Sequence, residues 1–550
     1  MGSKSSHSKP KLFTLSIISF FIVFVYLSIS HSPKRHETII HTLHNQKQPT
    51  EIFPRHVTKP SWYKYLENET KNTKFKIGLV NVYGTNVEVK DLHDEAELVN
   101  VHFRRVNQSV MWKDLFPEWI DENVLQKSSQ CPEIPMPELD DYSDLDVVLA
   151  RVPCANDTNV FRLQVNLVVA NLLVKNGWGF RDVSREIYVV FVGPCSPMLE
   201  IFRCDDQIWY EGNAWIYKPD LRRLKQKVLL PVGTCQLASP FAESGQEEWR
   251  KYTSSGRNKK PREAYVTVLH SSESYVCGAI ALAQSIILSN STKDLILLVD
   301  NSISHESINA LKLAGWKIKV IERIRNPHAK RGTYNEWNYS KLRIWQLVEY
   351  DKLIFVDADF LFFKNLDPFF MFPQLSAAGN CRHVFNSGIM IIEPSECTFK
   401  TLMEKTLTIV SYNGGDQGFL NEVFSWWHRW PAKLNYLKNF QTDERRKYEY
   451  PEDAYAMHYL GLKPWMCYKD YDCNWDVLEY RDFPNDRIHA KWWQVYDLMP
   501  KELQKFCDLT PQMDTRIRLE RHKAKAANFS DGHWKIQVKD PRRLSDSDIY

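Results

Sequence analysis

The chain is predicted to be an α/β protein. Its main domain is read as a mainly parallel sheet flanked by helices, preceded by a smaller accessory α/β region. From residue 262 onward, short β-rich runs at Ala264–Leu269, Asp294–Val299, Trp316–Ile321 and Lys352–Val356 are separated by helical stretches at Cys277–Ser289, His305–Ala314 and Ser340–Leu347. Strands alternating with crossover helices produce a parallel sheet covered on both faces. The runs Gly388–Glu393 and Ala456–Tyr459 are expected to extend that sheet, with a helix Glu396–Val410 between them. Before the linker, Lys76–Val82, Leu145–Val152, Glu186–Val192 and Val228–Val232 read as strands around one helix, Asn159–Lys175.

Composition narrows the function classes. A chain of 550 residues, 43% hydrophobic and 13% aromatic, can bury more than one core and is not disordered. A net charge of +4 against 71 basic and 67 acidic side chains, with no basic stripe interleaved with aromatics, excludes a nucleic-acid partner. Leu12–Ile29 is an uncharged apolar run preceded by Lys4, Lys9 and Lys11. At about 1.5 Å per residue it spans roughly 27 Å, enough for a thin membrane. The basic flank keeps the N-terminus cytosolic and sends the remainder to the lumen. A cleaved signal peptide is the competing reading, since Ser28-Ile29-Ser30 offers small residues for cleavage.

The expected organisation is a cytosolic tail (1–11), a transmembrane signal-anchor (12–29), a polar, proline-containing stem (30–74), the accessory region (75–245), a charged linker (246–261), the main domain (262–500) and a basic C-terminal tail (501–550). Six Asn-x-Ser/Thr sequons, at Asn68, Asn107, Asn156, Asn290, Asn338 and Asn528, agree with a lumenal location. The eleven cysteines are odd in number and form no Cys-x-x-Cys pair, so disulfides with at least one thiol left over are expected. Cys467 and Cys473 are plausible partners for each other or for cysteines elsewhere, and spacing does not fix the connectivity.

The chemistry begins where Lys352–Val356 runs into Asp357-Ala358-Asp359. On an extended chain, carboxylates two residues apart project from the same face. Such a pair suits a hard divalent cation whose remaining positions hold a substrate diphosphate, which suggests nucleotide-sugar chemistry. Ligands of parallel sheets sit at the carboxyl ends of strands, where His270-Ser271-Ser272 also lies. Further on come Asn386-Ser387-Gly388, Asn413-Gly414-Gly415-Asp416-Gln417 and the run His458-Tyr459-Leu460-Gly461-Leu462-Lys463-Pro464-Trp465.

The order and wording of these motifs resemble glycosyltransferase family 8, the glycogenin-like retaining enzymes, over residues 262–475. With the membrane start and the long N-terminal region, the chain looks most like the plant UDP-glucuronate:xylan α-glucuronosyltransferases. The resemblance implies a nucleotide-sugar-binding domain of the GT-A type and Mn2+ held by Asp357, Asp359 and His458. An imidazole beside two carboxylates moves preference from Mg2+ toward Mn2+. It also implies donor contacts from Asp357, Ala358, Asp359, Asn386, Ser387, Gly388, Asn413, Gly414, Gly415, Asp416, Gln417, His458, Tyr459, Leu460, Gly461, Leu462 and Lys463. Lys341, Asp416 and Gln417 are implied at the reacting centre, and Lys463 beside the diphosphate. Uracil and ribose contacts are implied near Thr267–Tyr275. By residue pattern alone, Ser340–Leu347 with Lys341 is an amphipathic helix with a solvated face.

The function that follows from the resemblance is transfer of α-glucuronic acid from UDP-glucuronate to xylan or xylo-oligosaccharide by a Golgi type II membrane enzyme. A front-face retaining route is preferred, since no second acid matches Asp416. Arg343 or Arg382 is the expected cation for the donor carboxylate. Some of Trp426, Trp427, Trp430, Trp465, Trp475, Trp492 and Trp493 are expected to line an acceptor cleft, the rest packing the core. Other family 8 activities stay open: a glycogenin-like glucosyltransferase, a galacturonosyltransferase or a sphingolipid glucuronosyltransferase. So does an inactive sugar-binding scaffold. Association into a Golgi enzyme complex or a homo-oligomer is left open.

Overall fold

The computed structural model describes residues 59–82, 92, 95–122, 131–154, 156, 158–178, 185–238, 261–380, 383–440, 452–540 and 542. The cytosolic tail, the anchor 12–29, the stem as far as residue 58, the linker 246–260, Cys381 and Arg382 lie outside the described residues. Among the described residues no helix is long and apolar enough to cross a membrane.

The described residues begin inside the stretch assigned to the stem. Ser61–Thr70 is a helix that buries Trp62, Tyr63 and Leu66 against the accessory sheet. The Tyr63 hydroxyl donates to the carbonyl of Glu95 at 2.9 Å. The six-stranded accessory sheet comprises β1 (Lys76–Val80), β2 (Glu97–Asn100), β3 (Val147–Ala150), β4 (Tyr188–Val192), β5 (Gln207–Glu211) and β6 (Ala214–Tyr217), in the order β2-β1-β3-β4-β6-β5. The first four run parallel, and β6 and β5 close the edge antiparallel. β3 and β4 are buried along their whole length, which is why they read as unbroken apolar runs. The helix Val160–Gly177 covers one face, its start capped by the Asn159 side chain, which accepts from Arg162 N at 2.9 Å.

The strand expected at Val228–Val232 is absent. Asp220 caps a helix, Leu221–Val228, that takes the first of those residues, and Pro231 lacks the N–H a ladder needs.

The main sheet has seven strands: β7 (Glu263–Leu269), β8 (Asp294–Val299), β9 (Lys317–Val320), β10 (Lys352–Val356), β12 (Ser376–Gly379), β13 (Phe385–Ile392) and β14 (His428–Trp430), in the order β14-β12-β13-β10-β7-β8-β9. β10, β7, β8 and β9 are parallel, as the alternating pattern predicts. β13 runs antiparallel to both neighbours, so the sheet is mixed. Ala456–Tyr459 does not extend it. Its strand, β16 (Ala456–His458), joins β11 (Phe360–Phe362) and β15 (Tyr436–Leu437) in a separate small sheet. Helix geometry also departs from expectation in two places. Asn338–Gln346 is a 3-10 helix. The helix Glu396–Lys405 ends before Val410, where the Thr406 and Thr408 hydroxyls donate back to the carbonyls of Met403 and Lys405.

The segment set apart as a C-terminal tail is folded through residue 540. Leu503, Cys507, Ile517 and Ala524 are buried, the last two on the helix Pro511–Ala526. Cys507 is bonded to Cys277. Four further disulfides, Cys131–Cys235, Cys154–Cys195, Cys204–Cys397 and Cys467–Cys473, are present among the described residues.

Cys204–Cys397 ties the accessory region to the main domain beside a buried ionic cluster. Glu393, at the end of β13, faces Arg203 at 3.1 Å and Arg223 at 2.9 Å. Burial opposes ionisation of this carboxyl, but Arg223, Lys352, Arg203 and Lys227 hold it down at about 2. Because the folded value lies below the ordinary 4.5, the contribution is full above about pH 4.5 and is lost as pH falls through about 2. Glu393→Ala removes the buried carboxylate that Arg203 and Arg223 share, leaving them Asp205 and Asp206, and is expected to cost about 3 kcal/mol near pH 7. Urea unfolding should show that deficit narrowing in acid. A loss below about 1 kcal/mol, typical of an exposed pair, would contradict the assignment.

Candidate active site

The site forms where β10 ends. Asp357 N donates to the Gly388 carbonyl at 2.8 Å, fixing the first carboxylate against β13. The two aspartates do not share a strand face, because β10 stops at Val356 and the chain turns through residues 358 and 359. Phe360 N closes that turn onto the Asp357 carbonyl at 3.2 Å, and β11 starts there. Antiparallel pairing of β11 with β16 sets Phe360 opposite His458, and Tyr459 N donates to the Asp359 carbonyl at 3.0 Å. The imidazole thus arrives beside the carboxylates: one ligand atom each of Asp357, Asp359 and His458 lies within 4.8 Å of the others.

His458 is held in one orientation. Its ring stacks on Phe360 with centroids 4.3 Å apart, and Asn435 Oδ1 sits 3.3 Å from Nδ1. Both ring nitrogens face an oxygen, Nε2 lying 3.3 Å from Asp359 Oδ1; with the proton on Nδ1, toward Asn435, the Nε2 lone pair would be offered to a cation. A side chain at Gly388 would intrude on this arrangement. An added Cβ would lie 2.8 Å from His458 Cε1 and 3.0 Å from a Phe360 ring carbon.

Two lysines complete the electrostatics. Lys463 Nζ donates to Asp359 Oδ2 at 2.7 Å and to the Tyr459 carbonyl at 2.5 Å. Its loop depends on Gly461, whose φ of +72° suits glycine and where any Cβ would collide with Asn474 Oδ1. That same oxygen accepts from Leu462 N at 2.8 Å. Lys341, buried rather than solvated, lies 3.3 Å from Asp357 Oδ1 and 2.5 Å from Asp416 Oδ2. Asp416 Oδ2 also accepts from Ser387 Oγ at 3.0 Å, and Gln417 Oε1 accepts from Ser387 N at 3.3 Å.

Burial pushes the Asp357 carboxyl up to about 6, with Lys341 opposing and Asp359 and Asp416 adding to the rise. Burial also opposes ionisation of Asp359, but Lys463 and then His458 overcome it and hold this carboxyl far below the usual range. For Lys341 burial favours the neutral amine, and the carboxylates of Asp357 and Asp416 reverse that, keeping it charged. Three carboxylates therefore face two ammonium groups in a shielded space. An oxygen-rich, partly uncompensated cluster with one imidazole fits a divalent cation.

Asn413 serves the loop itself: its Oδ1 accepts from Gly415 N at 3.0 Å and Gly418 N at 3.1 Å. Asn386 Oδ1 turns back to Gly388 N at 2.8 Å. The side chains of Tyr459 and Leu462 are buried, and Tyr459 donates its hydroxyl to Ile488 O at 3.0 Å, so this run offers the site its backbone, His458 and Lys463.

Several expected residues lie elsewhere. Arg343, one of the two arginines expected to clamp the donor carboxylate, donates to Glu322 O at 3.1 Å and Gln346 Oε1 at 2.8 Å and lies over Phe399. The seven tryptophans, some of which were expected to line a cleft and the rest to pack the core, are all buried. Sequence reading passed over Asp300 and Arg323. Asp300 Oδ1 accepts from Ser271 N at 3.3 Å, and its Oδ2 pairs with Arg323 at 3.1 Å on the same sheet edge as Asp357. The signal was present, since Asp300 follows β8 as Asp357 follows β10.

A GT-A-like α/β domain with this acidic cluster at the strand ends is the framework of a nucleotide-sugar transferase. Residues 266–375 match the model of glycosyl transferase family 8, and residues 54–235 match that of the GUX1-5 N-terminal domain. The chain is 46% identical to the putative UDP-glucuronate:xylan alpha-glucuronosyltransferase 4 of Arabidopsis thaliana over 99% of both chains. It is 50% identical to UDP-glucuronate:xylan alpha-glucuronosyltransferase 2 of the same plant over 86% of this chain and 81% of the relative. To UDP-glucuronate:xylan alpha-glucuronosyltransferase 1 it is 42% identical over 98% and 84%. The chain belongs to this plant glucuronosyltransferase family.

Gly388→Ala tests the close packing around the imidazole. The added methyl should displace His458 or Phe360, costing about 1–3 kcal/mol of stability and weakening divalent-cation binding, both measurable by thermal denaturation with and without metal. Unchanged metal-dependent stabilisation would show that His458 is not held by this contact.

Proposed function

We propose that the protein transfers α-linked glucuronic acid from UDP-glucuronate to the xylan backbone, as a Mn2+-dependent retaining enzyme of the Golgi membrane with its catalytic part in the lumen. The observation that carries the reading is near-full-length similarity to proteins so named, combined with an intact set of Asp357, Asp359, His458, Lys341 and Lys463 in mutual contact range. The same intact set speaks against an inactive scaffold.

A divalent ion bound by Asp357, Asp359 and His458 supplies Lewis-acid stabilisation of the departing diphosphate. Lys463, from the adjoining loop, places a second positive charge beside that leaving group. Asp416 presents a fixed carboxylate to the developing positive charge at the anomeric carbon. Its Oδ2 accepts from both Lys341 and Ser387, which lowers its nucleophilicity and supports a front-face route over a covalent one. Gln417, with Oε1 on Ser387 N and Nε2 on the Tyr412 hydroxyl at 3.2 Å, keeps the same loop in place.

Lumenal placement is supported by the basic flank of Leu12–Ile29 and by five disulfides, which persist in oxidising compartments. Asn68, Asn107, Asn156, Asn290 and Asn528 are exposed and accessible to glycosylation, whereas Asn338 is buried.

The experiment uses microsomes carrying the intact chain, UDP-glucuronate and xylohexaose. The product should gain one hexuronic acid, removable by an α-glucuronidase. Activity should be latent until detergent opens the vesicles, vanish with chelator and return best with Mn2+. Turnover of UDP-glucose or UDP-galacturonate alone would overturn the donor assignment, and full activity on sealed vesicles would overturn the topology.

A further inference from the structure

The buried tryptophans leave the acceptor without the aromatic surface expected for it, and one ring near the reacting centre is placed to take that role. Tyr334 is 85% exposed. Its turn packs on the loop that enters the site: the side chain of Asn335, the next residue, lies 3.3 Å from where a Cβ would stand on Gly414 and 3.4 Å from where one would stand on Gly415, and burial, then the carboxylates of Asp357, Asp359 and Asp416, act on the Tyr334 hydroxyl. A large ring left in water beside a reacting centre gains from being covered when substrate arrives.

The ring is presented on fixed backbone. Tyr334–Glu336 is a short 3-10 turn. Glu336 accepts from Gly332 N at 2.6 Å and pairs with Arg325 at 3.3 Å, while its carbonyl accepts from Asn326 N at 2.8 Å. Asn326 also donates to the Gly414 carbonyl at 3.0 Å, joining the turn to the loop that leads into Asp416. Tyr412, on that loop and 47% exposed, accepts from Gln417. Two exposed phenol rings are therefore tied to the loop that carries Asp416.

We propose that Tyr334 is the stacking platform for the acceptor, receiving the face of the xylose ring whose hydroxyl is glucuronosylated, with Tyr412 flanking it. Xylose suits such a surface: an uncharged pyranose with no exocyclic hydroxymethyl presents C–H faces that pack flat on an aromatic ring. A phenol keeps a polar edge for the sugar hydroxyls. The inference rests on the xylan reading above.

The test is steady-state kinetics of the detergent-solubilised full chain. Tyr334→Ala should raise KM for xylohexaose about tenfold. It should leave unchanged both the KM for UDP-glucuronate and the slow hydrolysis of that donor without acceptor. Tyr334→Phe and Tyr334→Trp should restore the acceptor KM, since the ring face and not the hydroxyl carries the contact. An unchanged acceptor KM in Tyr334→Ala, or a parallel rise in donor KM, would overturn the proposal, the second outcome assigning the ring to the donor. Wild-type chain that consumes UDP-glucuronate yet glucuronosylates no xylo-oligosaccharide would refute the functional reading itself, and the platform with it.

Discussion

The pairing of β11 with β16 is the contact on which the site depends. It brings His458 from late in the chain against Asp359, with Phe360 and His458 opposite each other in the ladder. The hydrogen bond from Tyr459 N to Asp359 O fixes one end, and that from Phe363 N to Tyr455 O, at 2.8 Å, fixes the other. A one-residue slip would turn the imidazole to the opposite face and bury it in the core. The same register delivers Lys463 a turn later. Without it the carboxylates of Asp357 and Asp359 would be two acids ending a strand, the commonplace reading of such a pair.

The accessory region shares structure with the domain it precedes. Its carbonyls at Val232, Thr234 and Pro117 accept from Trp426 and Arg429, and Leu237 adds a bridge to Arg429 on β14. An edge strand is thereby covered that would otherwise expose unpaired backbone. Glu200 accepts from the backbone N–H groups of Ser425 and Trp426 at 2.9 and 3.1 Å, immediately before that strand. With the Glu393 cluster and Cys204–Cys397, these contacts make the accessory sheet part of the support for β12 to β14, and so for Ser387 and Gly388.

What could be read from sequence follows a physical line. The parallel strands and the residues at their ends were legible because buried parallel strands are continuous apolar runs and the chemistry sits just beyond them. Lys341 was placed at the reacting centre only by the family resemblance, because by residue pattern alone its neighbours look like an amphipathic α-helix with a solvated face. The segment is instead 3-10, with about three residues per turn, and two carboxylates from distant segments compensate the buried ammonium. The small sheet was missed because a three-residue apolar strand carries no mark of its partner. The tryptophans illustrate the limit of composition: a ring able to stack on sugar is equally able to fill a core, and burial decides. The exposed ring, Tyr334, sits in a polar stretch that offered no periodic signal. Ordered structure in 501–540 was hidden by its charge, since a few buried positions such as Ile517 and Cys507 anchor it.

The central claim is that β10, β11 and β16 build one cation site whose remaining face binds a nucleotide diphosphate. Anomalous diffraction at the manganese edge, from crystals of the lumenal part grown with Mn2+ and UDP, tests it most directly. The account predicts a single strong peak within bonding distance of Asp357, Asp359 and His458 Nε2, with Lys463 turned from Asp359 to a phosphate oxygen. A peak elsewhere, or UDP bound with no metal between these three side chains, would contradict it.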